Sequence, residues 1–132
     1  MSSTYNLQRF VDAQESCYSQ VLSELENGRK QTHWIWFIFP QQKGLGYSNY
    51  SKFYGLAGTD EAKKYLEHPL LGARLRECCT LLKAHVGTKT IETIMGSRID
   101  VLKLRTSMEL FDSVSPYDIF AEILKSFFYR SI

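Results

Sequence analysis

The chain has 132 residues, of which 44% are hydrophobic and 14% aromatic, and its formal net charge at pH 7 is +2. This length and composition exclude a disordered chain and predict one compact domain over residues 1–132. The small net charge gives no basis for a general nucleic-acid-binding or membrane-binding surface, so any electrostatic preference must be local.

We expect neither an export signal nor a membrane-spanning segment. The N-terminus lacks a basic stretch followed by an apolar one, and the longest apolar run, Trp34–Phe39, is far shorter than the roughly 20 residues that span a bilayer. The three cysteines, Cys17, Cys78 and Cys79, are odd in number, and adjacent cysteines pair poorly. The sequence therefore predicts three free thiols and a cytoplasmic protein.

The first half of the chain is predicted to be helical, with one ambiguous segment. Apolar residues at helical spacing predict a helix over Leu7–Leu25 that ends at Gly28. The run Trp34–Phe39 has no polar face, so its pattern fits either a buried strand or a short buried helix, although residue type favours a strand. Residues 44–49 are predicted to form a loop, followed by a short helix that ends near Gly58.

The second half of the sequence predicts further helices with clear boundaries. They run from Thr59 or Asp60 to Glu67, from Leu70 to Ala84 behind a capping His68, from Thr90 to Met95, from Ser97 or Asp100 through Phe111, and onward from Ser115-Pro116. A lone strand would have no partner. We therefore expect an all-α fold of about six helices with an irregular glycine-rich loop.

Residues 29–59, which we call the basic aromatic segment, are the strongest candidate for a functional site. They include no acidic residue, and they hold four basic residues and eight of the 18 Trp, Tyr and Phe residues. Gly44 and Gly46 allow main-chain N–H groups to approach an anion, and Ser48 and Ser51 add hydroxyl donors. This combination suits a phosphate-bearing ligand that contains a ring.

The candidate residues fall into a binding group and a catalytic group. Those expected to bind the ligand by stacking, hydrogen bonding or charge are Trp34, Trp36, Gln41, Gly44, Gly46, Ser48, Ser51, Tyr54, Lys103 and Arg105. His33 is the candidate base or donor, and Asp100 is the candidate carboxylate, with Glu67 and Asp112 as alternatives. In the alternative interpretation the aromatic run is core, the glycines form a tight turn and the lysines are merely solvated.

Common nucleotide and metal motifs are missing from the sequence. Position 49, where a dinucleotide fingerprint would place its third glycine after Gly44 and Gly46, is Asn, and there is no Gly-x-x-x-x-Gly-Lys. The three histidines do not fall at metal-binding spacing. We therefore expect no metal and no cofactor.

Several strings of residues resemble one family. They are Leu7 to Gln14, His33-Trp34-Ile35-Trp36-Phe37-Ile38-Phe39-Pro40-Gln41, Gly44 to Ser48, His68 to Gly72, and Asp100 with Lys103-Leu104-Arg105. Over nearly its whole length the chain resembles the family called domain of unknown function 1810. The resemblance implies a mainly α-helical fold, with a helical turn at Trp34–Phe39, and implies no activity. Members often carry the label calpastatin, but a calpain inhibitor of that name is a disordered chain of repeats, unlike this sequence.

A fainter similarity connects residues 46–51 and 68–75 with helical N-glycosidases that act on ADP-ribose-like compounds. Those enzymes carry a Ser-Asn-aromatic loop followed by a Glu-His pair on a helix, and this chain lacks that pair nearby. Two hypotheses remain. The first is a site for a nucleotide-like or ADP-ribose-like anionic small molecule, with or without its hydrolysis. The alternative is a non-enzymatic domain whose aromatic surface binds another protein.

Overall fold

A computed structural model describes residues 5–129 and shows an all-α domain. Nine helices lie in this range: α1 (Gln8–Glu15), α2 (Tyr18–Glu26), α3 (Ile35–Ile38), α4 (Asn49–Tyr54), α5 (Thr59–Glu67), α6 (Leu71–Lys83), α7 (Ile91–Met95), α8 (Arg98–Val114) and α9 (Ile119–Phe127). Within the same range, the extended pairing is limited to one parallel bridge between Gln42 and Leu56. The prediction of one all-α domain is confirmed, with nine helices rather than about six.

Residues 1–4, which contribute to the expectation that no export signal is present, lie outside the described residues. Between residues 5 and 129, no helix combines the length and the apolar character needed to cross a membrane.

The predicted first helix is in fact two helices. The chain leaves the helical conformation at Cys17, whose φ is −135° and ψ 0°, so α1 and α2 are separate. The turn brings the buried Gln14 against α3, where its side-chain amide donates to the Phe37 carbonyl (2.7 Å). Neither glycine nor proline marks the break, because tertiary contacts rather than local preference produce it.

The ambiguous run before Pro40 forms a helical turn, not a strand. Helix α3 is four residues long, and the Phe39 N–H donates to the Ile35 carbonyl at 3.0 Å. The strand preference of these residue types was therefore wrong, and the helical turn implied by the family resemblance is confirmed. A single buried strand would leave its main-chain groups unpaired, whereas a helical turn satisfies part of them internally.

Other helix boundaries follow from specific caps. His68 caps α6 as predicted, because its Nδ1 accepts from the N–H groups of Leu70 and Leu71 at 3.2 Å each. Ser97 caps α8 by accepting from the N–H of Asp100. The cap of α9 is Asp118 rather than Ser115-Pro116, since the Asp118 carboxylate accepts from the first N–H of that helix.

The core is organised around a row of buried aromatic rings. The ring of Phe10 lies 5.0 Å from that of Tyr65, Tyr65 lies 5.5 Å from Phe111, and Phe111 lies 5.6 Å from Phe120. These residues come from α1, α5, α8 and α9, so one continuous set of contacts joins the two ends of the domain. Helix α8 is therefore fixed on its inner face, and its outer face is left for a site.

The buried carboxylate of Glu24, on α2, fixes the chain that leads into α3. It accepts five hydrogen bonds of 2.7–3.0 Å, from the side chains of Gln20, Thr32 and Trp34 and from the N–H groups of Gln31 and Thr32. Burial by itself raises the pKa of Glu24, but these hydrogen bonds outweigh burial and bring the pKa to about 2. The carboxylate therefore stays ionised at neutral pH and holds residues 31–34 in place.

Replacing Glu24 by Gln is expected to lower the free energy of unfolding at pH 7 by about 2–3 kcal/mol, because buried donors lose a charged acceptor. The folded pKa of about 2 lies below the ordinary value of 4.5. The contribution of Glu24 is therefore complete above pH 4.5 and is lost as the pH falls towards 2. Urea unfolding at a series of pH values measures both effects. Exposed Glu26 lies on the same helix, so Glu26→Gln is the matched control; equal stability of the two variants would contradict this role.

The three cysteines are free thiols in different surroundings. Cys78 and Cys79 are buried, whereas Cys17 is partly exposed. Burial raises the pKa of Cys78 to about 12 and that of Cys79 well above its ordinary value, so neither forms a thiolate at neutral pH. Burial raises the pKa of Cys17 as well, although less of that side chain is covered.

In the folded protein, Ellman's reagent is expected to modify one thiol, Cys17, and to modify all three once the chain is unfolded in denaturant. Cys17→Ser should abolish the reaction of the folded protein and leave two thiols in the unfolded one. Rapid modification of two or more thiols without denaturant would show that Cys78 and Cys79 are not sealed in the core.

Candidate functional site

Two shallow clefts lie side by side along the first turns of α8. The Lys103 cleft, of about 240 Å³, is lined by Gln41, Leu45, Ile99, Leu102, Lys103 and Thr106. The His33 cleft, of about 330 Å³, is lined by residues 30–33, Trp36, residues 95–97, Ile99 and Asp100. Ile99 lines both clefts, so they form one continuous surface between α8, α3 and the glycine-rich loop.

The Lys103 ammonium defines the first cleft. Its Nζ lies 3.5 Å from the Ser51 Oγ, and it forms no ion pair with any carboxylate of residues 5–129. Gly46 packs directly against this pair. A Cβ at Gly46 would clash with the Ser51 hydroxyl and lie 3.4 Å from the Lys103 Nζ. Glycine is therefore needed here for close approach rather than for an unusual φ.

The hydroxyl of Ser51 is oriented by its neighbours. Ser48 caps α4 by accepting from the Ser51 N–H, and its own hydroxyl donates to the Ser51 Oγ, both at 3.0 Å. Because the Ser51 oxygen accepts from Ser48 and from Lys103, its proton remains available for an external acceptor. Ser51 is buried but still reaches the surface. In the loop before α4, the main-chain N–H groups of residues 44–48 donate to no acceptor within the described range.

Gln41 closes the other side of the same cleft. The Thr106 hydroxyl donates to the Gln41 Oε1 at 2.9 Å, which fixes the carboxamide against α8. No described residue accepts a hydrogen bond from the Gln41 Nε2. The Lys103 cleft thus brings together an ammonium, a hydroxyl and an amide whose donors are unused.

The His33 cleft contains the two candidate catalytic residues but does not connect them. The Asp100 carboxylate pairs with the Lys30 Nζ at 2.8 Å, and this Nζ also donates to the Thr32 carbonyl (2.7 Å). Only 6% of the Lys30 side chain is exposed. His33 is exposed and forms no hydrogen bond within the described residues. Asp100 therefore fastens the loop before α3 to α8, and it is not paired with Lys103 as its spacing allowed.

The aromatic candidates are engaged within the fold. Trp34 is buried, and its indole donates to Glu24, so no face of that ring is open to a ligand. Trp36 stacks on Tyr50 with ring centroids 4.8 Å apart, and Tyr50 in turn lies 6.4 Å from Tyr54 and parallel to it. Trp36 also lines the His33 cleft, so of the ring candidates Trp34 alone is wholly enclosed by the fold.

Arg105 and Gly44 lie apart from this arrangement. Residues two apart on a helix are separated by about 200° around its axis, so Arg105 faces away from Lys103. Its guanidinium lies 3.7 Å from Glu109 and over the ring of Tyr129. A Cβ added at Gly44 would meet no other atom within 4 Å, but the φ of +97° at this position favours glycine.

Two matches to known proteins agree with the resemblance seen in the sequence. A family model described as "Protein of unknown function (DUF1810)" matches residues 4–131. The chain belongs to this family. The crystal structure of the conserved hypothetical protein Rv1873 from Mycobacterium tuberculosis is 42% identical, covers 96% of this chain and 90% of its own, and superposes with a TM-score of 0.91. No curated protein matches the sequence.

Neither match assigns a ligand to this DUF1810 member, so its chemistry must be inferred from the clefts. Within residues 5–129, no group of three or more His, Cys, Asp and Glu side chains is arranged to hold a metal ion. Two buried polar atoms in this range lack partners, the Trp36 Nε1 and the Ser107 Oγ. They belong to α3 and α8, the helices that meet beneath the clefts.

Four residues that line the Lys103 cleft were not among the candidates predicted from the sequence: Leu45, Ile99, Leu102 and Thr106. A signal was present for two of them. The core positions of α8 include Leu104, Met108 and Phe111, and Ile99 and Leu102 fall outside that buried stripe. Apolar residues on the polar side of an amphipathic helix indicate a surface with a role beyond solubility.

Gly46→Ala is expected to lower the free energy of unfolding by about 1–3 kcal/mol, because the added methyl group overlaps the Ser51 side chain. Chemical denaturation measures the loss. In a Ser51→Gly background the same change should cost at least about 1 kcal/mol less, since the obstructing atoms are gone. Additive effects of the two substitutions would mean that the loop does not pack on Ser51 as described.

Proposed function

We propose that this protein binds a small anionic ligand in the Lys103 cleft. The observation that carries the proposal is the half-buried Lys103 side chain. Its ammonium lies next to Ser51 and Gly46 and has no carboxylate partner among the described residues. Removing a charge from water is unfavourable unless an opposite charge or hydrogen bonds replace the lost hydration. A ligand anion would supply that partner.

Other covered cations of the domain support this interpretation by contrast. The Lys30 and Arg9 side chains are 6% and 10% exposed, and each contacts a carboxylate, Asp100 at 2.8 Å and Glu61 at 3.0 Å. Arg74, which is half-buried and has no ion pair among the described residues, donates instead to the Gln14 Oε1 at 3.2 Å and lies over the Tyr18 ring. Lys103 has neither a carboxylate nor an aromatic ring against it among the described residues, and its Nζ lies 3.5 Å from a neutral hydroxyl.

The chemistry of the cleft favours a phosphate or carboxylate group. Lys103 and Gln41 line the cleft, and the Ser51 hydroxyl lies 3.5 Å from the Lys103 Nζ, so an ammonium, an amide and a hydroxyl can all donate to one anion. Asp100, the acid three residues before Lys103 on α8, is neutralised by Lys30. Asp100 does not contact His33, and Trp34 is buried, so the clefts offer neither an acid–base pair of these two residues nor a stacking surface on Trp34.

A protein-binding role is the second candidate. Leu45, Ile99 and Leu102 line the Lys103 cleft and are more than half exposed, as are three rings of the neighbouring segment: Tyr47, Tyr50 and Phe53. Exposed apolar residues that gather on one face are typical of interaction surfaces. This role would depend on the apolar side chains and would not require the Lys103 ammonium.

Pyrophosphate, AMP or ADP-ribose is expected to raise the melting temperature by several degrees, since a ligand at about 100 times its dissociation constant adds roughly 2.7 kcal/mol. Lys103→Ala should abolish the shift. Arg105→Ala is the matched control, because it removes a charge two residues away on the opposite side of α8, and it should retain the shift. Differential scanning fluorimetry of the three proteins makes the comparison.

Two results would count against anion binding. One is an equal shift in the wild-type protein and in Lys103→Ala, which would place any binding elsewhere. The other is the lack of a shift with every anion up to about 10 mM, a concentration that detects even millimolar dissociation constants. The second result would favour the protein-binding alternative.

A further inference from the structure

The wall of the Lys103 cleft is apolar and open to solvent. Leu45, Ile99 and Leu102 line it and are 56%, 68% and 60% exposed. Elsewhere on α8, the large apolar residues Leu104, Met108 and Phe111 are completely buried. A single exposed aliphatic residue is ordinary, but three that line one cleft form a surface whose contact with water is unfavourable.

The position of this apolar wall relative to the cation is the informative feature. Ile99 precedes Lys103 by four residues, so both lie on the same side of α8, one turn apart. Leu45 is adjacent in sequence to Gly46, which packs against Ser51 and Lys103. The apolar wall and the group of donors therefore share one small cleft.

We infer that the ligand is amphiphilic, with a phosphate or carboxylate against Lys103 and Ser51 and a small apolar group, directly attached to it, against Leu45, Ile99 and Leu102. This inference rests on the proposed function and specifies its ligand class. The cleft volume of about 240 Å³ is below the range of roughly 300–1,000 Å³ that suits drug-sized ligands. A ring or a short branched chain fits such a space.

The charge around the cleft supports an anionic partner for this wall. Lys103 is the cation that lines the cleft, and no acidic residue lines it. Asp100, the acid of the neighbouring cleft, contacts Lys30. An apolar group that enters beside Lys103 removes water from the ammonium, which strengthens the attraction of that ammonium for the attached anion. The two parts of the ligand thus bind better together than apart.

The test compares three probes on the full chain by NMR titration: inorganic phosphate, phenyl phosphate and ribose 5-phosphate. Phenyl phosphate is expected to bind about tenfold more tightly than inorganic phosphate, equivalent to about 1.4 kcal/mol. Ribose 5-phosphate carries a polar group next to its anion and should bind no more tightly than inorganic phosphate. Their dissociation constants give the comparison directly.

Substitutions in the cleft show which residues cause the tighter binding of phenyl phosphate. Leu45→Ser and Ile99→Ser change exposed residues, so the fold is retained, and each should reduce the ratio of the phenyl phosphate affinity to the inorganic phosphate affinity towards one. Lys103→Ala should weaken both probes. Val86→Ser is the matched control, because Val86 is another exposed aliphatic residue that does not line the clefts described here, and it should change neither affinity.

The outcomes separate the inference from the function on which it rests. If no probe binds, anion binding fails and the inference fails with it. If phosphate binds through Lys103 but phenyl phosphate binds no more tightly, the inference is overturned and the proposed function stands. A preference for phenyl phosphate that survives both Leu45→Ser and Ile99→Ser also overturns the inference, because the apolar contact then lies elsewhere.

Discussion

The buried carboxylate of Glu24 is the interaction on which the arrangement of the site depends. It satisfies donors from residues 31–34, including the indole of Trp34, and so determines how the chain enters α3. A carboxylate surrounded by so many donors stays ionised, and its charge strengthens each hydrogen bond. Since this segment has no regular structure before α3, few other contacts could fix its course.

A second polar connection joins the same segment to α8. Lys30 reaches Asp100 in the first turn of α8, and its N–H donates to the Ile94 carbonyl on α7. The loop that carries His33 is therefore fastened at both ends, by Glu24 on one side and by Asp100 on the other. This explains why Asp100 is unavailable to Lys103, and the ammonium of Lys103 is left without an acidic partner. Because Asp100 is used to hold Lys30, the Lys103 side chain on the same helix keeps an uncompensated positive charge.

Two buried polar side-chain atoms of the described residues have no hydrogen-bond partner, the Trp36 indole nitrogen on α3 and the Ser107 hydroxyl on α8. Nearly all buried polar groups in folded proteins have one. Trp36 also lines the His33 cleft. Unused donors, an unpaired ammonium and exposed aliphatic side chains thus occur in one region of a fold shared with Rv1873, which makes this region the place where binding is best sought.

The sequence alone determined the helical nature of the chain and most helix boundaries, because apolar spacing, capping residues and glycines act locally. The sequence also identified the basic aromatic segment, because the charge and aromatic content of a stretch can be counted without knowing which residues are in contact. Tertiary structure decided which side chains of that segment face inward. Trp34 and Trp36 differ in their surroundings, as do Lys103 and Arg105, although each pair is only two residues apart. A helical turn sends such neighbours in opposite directions, and which direction is the core depends on packing against helices distant in sequence.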